Sequence, residues 1–466
     1  MDVFGSFSLL LAFVCACYAV VGGIFAIRTR HPLLVKSTRQ AGIATCALIF
    51  LSMLSLEYLL FTDNFSMAYV VQHSNRDLST FYKVAALWAG QEGSLPQDGY
   101  SAFVPAPLPP TLDWTPRLIR VLSDADRLVG RLAGEGGRLP NPHVLMRPFV
   151  RREAVLSSKI EGTQATLGEL LAAEAGAAVA RSPEDLREVG NYVVALEHGI
   201  AQLGEIPICV RLVRELHEKL MTGVRGQQAA PGEFRKTQNW IGKPGSTIQT
   251  ASFIPPPPSE VEPCLSAWER FLHESNLPPL VTIGFAHYQF EAIHPFRDGN
   301  GRVGRLLITL FLIERKILPT PLLYLSAFFD ASRRDYYDSL RAVSESAAWQ
   351  ECIEYFLLGV ARMSEDALSR AARINDVVAQ WRKKLADEPN ASRIIELLSA
   401  NPFITATGAA RRLSIAFTTA QRAIQRLEQK RVVKRTTDAR RNRVYGAQEL
   451  LDILEEPAQL KAISSV

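Results

Sequence analysis

His294-Pro295-Phe296-Arg297-Asp298-Gly299-Asn300-Gly301-Arg302-Val303-Gly304-Arg305 joins two apolar helical segments and decides how this chain folds. Before it, Ile283, Ala286, Phe290 and Ile293 recur at helical spacing within 282–293, and 303–317 reads as a strongly apolar helix. His294 therefore ends one helix, and Gly299-Asn300-Gly301 turns the chain into the next. Glycine takes positive φ at no steric cost, and a helix start offers unpaired N–H groups and a positive dipole end to an anion. The turn reads as a nest for a di- or triphosphate. Asp298 stands at its lip, where a carboxylate oxygen can hold Mg²⁺ against phosphate oxygens. Arg302 and Arg305, three apart, can both reach back as fork-shaped donors. Histidine ordinarily titrates near neutrality, so His294 can take a proton from an attacking hydroxyl. Phe296 is expected as an anchor beneath the loop. A basic loop between core helices is the competing reading, but eight specified residues at roughly 5% usage each make chance occurrence about 10⁻¹⁰ per position.

These residues fill every position of His-x-Phe-x-Asp/Glu-Gly-Asn-Gly-Arg-x-x-Arg, and the stretch resembles the signature of the Fic family. The resemblance implies Mg²⁺-dependent transfer of AMP from ATP to a Ser, Thr or Tyr hydroxyl of a protein, auto-modification included. It implies His294 as general base and Asp298 as the Mg²⁺ ligand. Gly299, Asn300 and Gly301, with Val303 and Gly304 following, would form the phosphate site; Arg302 would hold the α and β phosphates and Arg305 the γ. A related Doc-like branch carries a bulkier Lys-type residue in the glycine loop and phosphorylates instead; Gly299 points to AMP transfer.

Upstream, Ser157-Ser158-Lys159-Ile160-Glu161-Gly162 is similar to the family's inhibitory motif, Ser/Thr-x-x-x-Glu-Gly/Asn. Ser and Glu at this spacing are also common on solvated helix faces. A Glu161 carboxylate paired with Arg305 would occupy the group meant for the γ phosphate, so Ser157, Glu161 and Gly162 are expected to hold the enzyme off at rest. In some relatives the same Glu assists AMP removal, which makes Glu161 a candidate switch. Phe234 to Gly242 and Ala251-Ser252-Phe253-Ile254 read as a β-hairpin about 243–246, closed by Pro255 to Pro258. The resemblance implies a flap there, with Phe253 and Ile254 beside the nucleotide and the target segment added as a strand. Tyr336, Tyr337 and Ser344 fall where relatives line the adenine pocket, although Asn is expected in place of Ser344 and aromatic pairs are as often core. His287 is expected to be packed rather than catalytic.

A length of 466 residues suggests three domains at roughly 150 each, and a net charge of +5 does not select a partner. Cys15, Cys17, Cys46, Cys209, Cys264 and Cys352 have no metal or disulfide spacing, so a reducing compartment is expected. Residues 6–27 and 41–62 are nearly uninterrupted apolar runs of about 20 residues, a length able to span a bilayer. No basic region precedes the first, which begins Met1-Asp2-Val3, so no cleaved signal peptide is expected. Arg28, Arg30, Lys36 and Arg39 put the link between them in the cytoplasm, giving an inner-membrane hairpin with Glu57 near the outer end of its second span. AMP-transfer chemistry is expected in the cytoplasm, whereas the hairpin puts both its ends outside; a membrane-tethered enzyme of unusual topology is one resolution, and a fused or misassembled reading frame joined near 96–100 is the favoured one. His73-Ser74-Asn75-Arg76-Asp77 and Phe81 to Leu95 resemble the start of the haem-lyase family of cytochrome c-type biogenesis proteins; the similarity covers 1–95 and stops before any haem-handling segment, so it implies no haem role.

Residues 102–116 form a proline-rich extended arm, followed by helix candidates at 118–133, 150–175, 183–203 and 208–222. Near the end, helices at 392–399, 406–413 and 418–430 precede Val432-Val433-Lys434-Arg435 and Arg443-Val444-Tyr445, the order of a winged helix. Arg422, Arg426, Lys434, Arg435, Arg440, Arg441 and Arg443 could neutralise DNA phosphates, with protein contact an equal reading. The expected chain is mainly α: a transmembrane hairpin region (1–98), a helical region with the inhibitory motif (99–205), a Fic helical core with a β-hairpin flap (206–385) and a C-terminal winged helix (386–466). The expected function is protein AMP transfer held off by Glu161; a nucleotide-sensing DNA-binding regulator is the alternative. Expected partners are ATP, a hydroxyl-bearing protein, DNA, a second copy of the chain and the membrane.

Overall fold

The computed structural model describes residues 2–29, 32–61, 94–97, 100–138, 142–224, 230–243, 245–436 and 443–458. The chain divides into two compact units, Met1–Ser94 and Leu95–Val466. In the first, helices α1 (Asp2–Thr29) and α2 (Pro32–Phe61) are present. The membrane assignment is overturned: among the described residues no helix is long and apolar enough to cross a membrane. Helix α2 begins within the expected link, carrying Lys36, Ser37, Thr38, Arg39 and Gln40, and the Tyr18 hydroxyl of α1 meets Ser37 Oγ at 2.9 Å. The inner-membrane localisation falls with it. His73 to Asp77 and most of 81–95 lie outside the described residues.

In the second unit a short two-stranded sheet, β1 (Ser94–Gln97) and β2 (Tyr100–Phe103), precedes the proline-rich arm. Helix α3 (Pro116–Arg138) follows, then α4 (Pro142–Ile160) and α5 (Leu167–Glu174). The single helix expected over 150–175 is broken, because Gly162 takes φ 105° and Thr166 caps α5 in a capping box with Glu169. Thr166-x-x-Glu169 is a start signal already present in the sequence. Next come α6 (Pro183–Gln202), α7 (Val210–Met221) and α8 (Pro258–Glu274).

Helix α9 (Pro279–Ile293) buries all of its residues except Pro279 and Glu291, and includes the buried His287 and Gln289. Its apolar residues face every direction, and such a helix belongs at the centre of a core. Helix α10 (Asn300–Glu314) is buried from Val303 through Leu312 and packs against α9, so the connecting loop emerges from the rigid heart of the molecule. Helices α11 (Ser326–Ala331), α12 (Arg333–Ser346) and the long α13 (Trp349–Lys384) complete this core.

Where a hairpin flap was expected, a single antiparallel bridge joins Ile241 and Phe253. Between them the chain makes a short 3₁₀ turn at Ile248–Thr250, and Trp240 Nε1 donates to Ser246 O at 3.1 Å. These local bonds close the loop and leave no room for further ladder pairs. On its other side, Phe103 N–H donates to Ile254 O at 2.8 Å, and the Phe103 and Phe253 rings lie 5.5 Å apart.

The C-terminal module holds α14 (Pro389–Ala400), β3 (Phe403–Thr405), α15 (Ala406–Leu413), α16 (Phe417–Gln429), β4 (Lys434–Arg435), β5 (Val444–Gly446) and α17 (Gln448–Glu455). Its antiparallel sheet has the order β3-β5-β4, so the expected winged helix is present with one further strand, β3, and one further helix, α17. Arg440 and Arg441 at the wing tip lie outside the described residues. The module is tied to the helices ahead of the core: Asn401 Nδ2 donates to Leu171 O at 3.0 Å, Glu455 accepts from Gly168 N–H at 2.9 Å, and Arg152 donates to Glu456 O at 3.3 Å.

Helix α6 meets α10 at Gly199, where a Cβ would lie 2.6 Å from Leu310 Cδ1 and 3.0 Å from Leu216 Cδ2. Gly199→Val should overpack this contact and cost about 1–3 kcal/mol, read as a lower urea midpoint at unchanged slope. An unchanged midpoint would contradict the close approach of these helices.

Candidate functional site

The loop between α9 and α10 is shaped by its own polar side chains. Asn300, fully buried, accepts from Phe296 N–H and donates to Phe296 O, both at 2.8 Å, and Asn239 Nδ2 reaches the same carbonyl at 3.0 Å. Phe296 is sealed beneath the loop, as expected, and stacks on His217 with centroids 3.7 Å apart. His217 Nδ1 accepts from Gly232 N–H at 2.9 Å, so Nε2 carries the proton and donates to Asp298 O at 3.0 Å. Burial holds this ring neutral, lowering its pKa to about 4.

His294 ends α9 in the left-handed conformation, φ 49° and ψ 59°. A non-glycine residue there costs about 1–3 kcal/mol, and such strain persists only where the surroundings impose it. Arg235 imposes it. Its Nε donates to His294 O at 2.9 Å, its guanidinium to Pro256 O at 2.5 Å and Ile293 O at 3.3 Å, and its backbone N–H to Pro295 O at 3.0 Å. Arg235 thus collects the carbonyls that α9 releases at its end. His294 Nδ1 lies 3.3 Å from Glu291 O; a carbonyl only accepts, so Nδ1 carries the proton and Nε2 keeps its lone pair. Burial lowers the His294 pKa to about 4, outweighing the Glu291 carbonyl and the Glu161 charge, which both raise it.

Gly299 caps α10 with φ 79°, and its N–H donates to Asp298 Oδ1 at 2.6 Å. The first intrahelical bond runs from Val303 N–H to Gly299 O, so the N–H groups of Asn300, Gly301 and Arg302 have no acceptor within the helix. Glu161 stands beside this helix start: a Cβ on Gly301 would run into Glu161 Oε1 and come within 2.8 Å of Arg305 Nη1. A carboxylate oxygen therefore lies against Gly301 in the first turn of α10.

That carboxylate is fixed by Arg305, which is buried. Arg305 Nη2 donates to Glu161 Oε1 at 2.7 Å and to Ser157 O at 2.9 Å, and its Nε to Ser157 Oγ at 2.9 Å. Burial alone would raise the Glu161 pKa, but the Arg305 charge and hydrogen bond dominate and hold it below the usual carboxylate range. Burial likewise opposes the Arg305 charge, and Glu161 reverses that effect. Gly162 then turns the chain away. The structure brings Ser157, Glu161, His294, Gly301 and Arg305 together.

Arg302, also buried, pairs with Glu188 of α6 at 2.5 Å and lies 3.6 Å from Asp298 Oδ1. Asp298 keeps a half-exposed side chain at the loop's lip. Among the described residues no group of three or more His, Cys, Asp or Glu could hold a metal ion. Magnesium usually takes one or two carboxylates together with substrate phosphates, and a lone accessible carboxylate beside an anion nest fits that habit.

Tyr336 is buried, bonded to His287 Nε2 at 2.9 Å and stacked on Phe329, while Tyr337 is partly exposed beneath the Arg333 guanidinium. Ser344 meets the Tyr288 hydroxyl at 2.9 Å. Phe253 and Ile254 are half-buried on the bridge segment. Sequence reasoning missed His217, Arg235 as a brace, Glu188 and Glu291. Glu291 is a carboxylate in an apolar helix, its Oε1 shielded without a partner and pressed against Gly304, and burial pushes its pKa up to about 7. A charge inside an otherwise apolar run was the available signal.

The ordinary imidazole value of 6.5 falls to about 4 at His294, so in the folded state the ring stays neutral between those limits while the unfolded chain protonates. Its contribution to stability is therefore present above pH 6.5 and is lost as pH falls toward 4. A ¹⁵N NMR titration should find the His294 midpoint near pH 4. A midpoint at the ordinary value would contradict the buried environment.

The model of the Fic/DOC family N-terminal region matches residues 119–201, that of the Fic/DOC family matches 207–312, and a winged helix-turn-helix DNA-binding model matches 388–434. Over 169 residues the chain is 29% identical to protein adenylyltransferase Fic of Drosophila persimilis, covering 35% of this chain and 30% of that protein. Its counterpart in Drosophila erecta is 31% identical over 35% of this chain and 31% of its own length. The chain thus spans about a third of these relatives' length. A Fic family protein from Desulfovibrio desulfuricans G20 aligns at TM-score 0.48 and 22% identity over 73% of this chain and 98% of its own. Fic-1 from C. elegans aligns at TM-score 0.41 and 17% identity over 76% and 96%. The chain therefore carries the two Fic/DOC family regions over 119–201 and 207–312, the second holding the signature loop, followed by a winged helix-turn-helix region over 388–434.

Proposed function

We propose that the chain is a protein adenylyltransferase, transferring AMP from ATP to a Ser, Thr or Tyr hydroxyl and held off at rest by Glu161. The observation that carries this reading is the Glu161 carboxylate lying against Gly301 in the first turn of α10 while paired to Arg305 at 2.7 Å. A negative group already sits in a cradle suited to phosphate.

In the proposed reaction the target hydroxyl oxygen attacks the α phosphorus of ATP and its proton passes to Nε2 of His294, which the Nδ1 contact with Glu291 O leaves unprotonated. The bond from the α phosphorus to the bridging oxygen of the β phosphate breaks, and pyrophosphate leaves. The N–H groups of Asn300 to Arg302 and the two arginines would take the phosphate charge. Asp298 would hold Mg²⁺, which when bound supplies charge neutralisation to the phosphate oxygens. Gly299 leaves no side chain in the loop to turn the nucleotide around. The single Ile241–Phe253 bridge supports a flap for a target segment, and the partial exposure of Tyr337 supports a base contact. AMP removal assisted by Glu161 belongs to the same proposal.

The winged helix supports a second contact, with DNA phosphates, through exposed Arg422 and Lys434. Arg426 is partly engaged by Glu388 at 3.4 Å.

Incubation of the full chain with α-labelled ATP and Mg²⁺ tests the reading. Glu161→Gly should raise self-labelling about tenfold or more, and His294→Ala in that background should abolish it while ATP binding persists. Label retained after loss of His294 would remove the mechanism. Absence of label in every variant, with salt-sensitive DNA binding present, would favour a nucleotide-sensing regulator.

A further inference from the structure

Building on the reading that Arg302 meets a nucleotide's phosphates, we infer that Glu188 is the positioning residue that aims this arginine. Arg302 is a long side chain at the first turn of α10, only 4% exposed, and needs a directional partner to hold one rotamer. Its Nη1 donates to Glu188 Oε1 at 2.5 Å. Its other contacts are weak: Nη2 lies 3.6 Å from Met221 Sδ and 3.6 Å from the half-exposed Asp298, and Nε is buried without a partner among the described residues. A thioether and a solvated carboxylate at that distance fix no orientation. Glu188 does.

The side from which Glu188 approaches decides its role. It takes one terminal nitrogen and leaves the other turned toward Asp298 at the lip of the nest. Glu161, by contrast, lies against Gly301, in the glycine turn itself. Glu188 therefore braces its arginine, whereas Glu161 covers the place of the ligand. Glu188 is itself held: Oε1 accepts from the Thr163 hydroxyl at 2.8 Å, and Thr163 N–H is tied to Ser158 O at 3.1 Å in the turn that presents Glu161. Asn191, one helical turn further along α6, donates to Leu220 O at 3.1 Å and Thr222 O at 2.7 Å, which anchors α6 to the end of α7 beside Met221. One carboxylate oxygen thus joins the inhibitory turn to the arginine at the nest.

The test measures equilibrium binding of Mg·ATP to the full chain in the Glu161→Gly background, so that no transfer step is needed. Glu188→Gln should weaken ATP binding about tenfold, with the melting profile showing a folded protein. Glu188→Asp, which keeps the charge, should recover part of the affinity and serves if the Gln variant fails to fold. Thr163→Val, which removes one bond to Glu188 and spares the ion pair, should give a smaller loss in the same direction. Unchanged or tighter ATP binding in folded Glu188 variants would overturn the positioning role, tighter binding marking Glu188 as a second restraint. If the Glu161→Gly protein binds no ATP, the nucleotide reading falls and this inference with it.

Discussion

A buried guanidinium is expensive unless its charge is answered, and the arrangement around Arg305 follows from that constraint. The side chain stands on the first turns of α10, inside the core, with no solvent to share its charge. Ser157 and Glu161, well over a hundred residues earlier in the chain, supply its hydrogen-bond acceptors among the described residues. The helical region ahead of the core is thereby attached to the anion nest at its most sensitive point. In the proposed function, a phosphate arriving there would compete with a protein carboxylate for the same donor.

The rest of the site is stiffened around this pair. Arg235 gathers the carbonyls at the end of α9 and holds His294 in a left-handed turn, while Asn300 and His217 close the loop on Phe296. Each brace comes from a different element, so the His294 ring and the helix start are held in fixed relation. Burial keeps that ring neutral, the state a general base requires. The winged helix joins the same structure through Asn401, Glu455 and Arg152, on the helices that flank the Glu161 turn.

Much of this was legible from residue order. Helical periodicity gave α9 and α10, the glycine turn gave the nest, and Ser-x-x-x-Glu spacing named the partner of Arg305. The readings that failed did so for physical reasons. Apolar runs at the N-terminus read as membrane spans, yet among the described residues no helix is long and apolar enough to cross a membrane. The break at Gly162 was missed although its capping box was in view. The hairpin shrank to one bridge because side chain and backbone groups of the loop bond to each other. Glu188 had no local signature: it meets Arg302 across 114 positions, and only the packing of α6 on the core brings them together. His217 and Arg235 likewise work through backbone groups, which a pattern of side chains does not reveal.

The central claim is that the nest orients ATP for attack at the α phosphorus. The most direct measurement is the ³¹P NMR spectrum of the spent nucleotide after the Glu161→Gly protein has turned over Mg·ATP. The account predicts pyrophosphate accumulating in step with protein-bound AMP and no ADP. Accumulation of ADP with phosphate on the protein would contradict it, because the chemistry would then lie at the γ phosphorus.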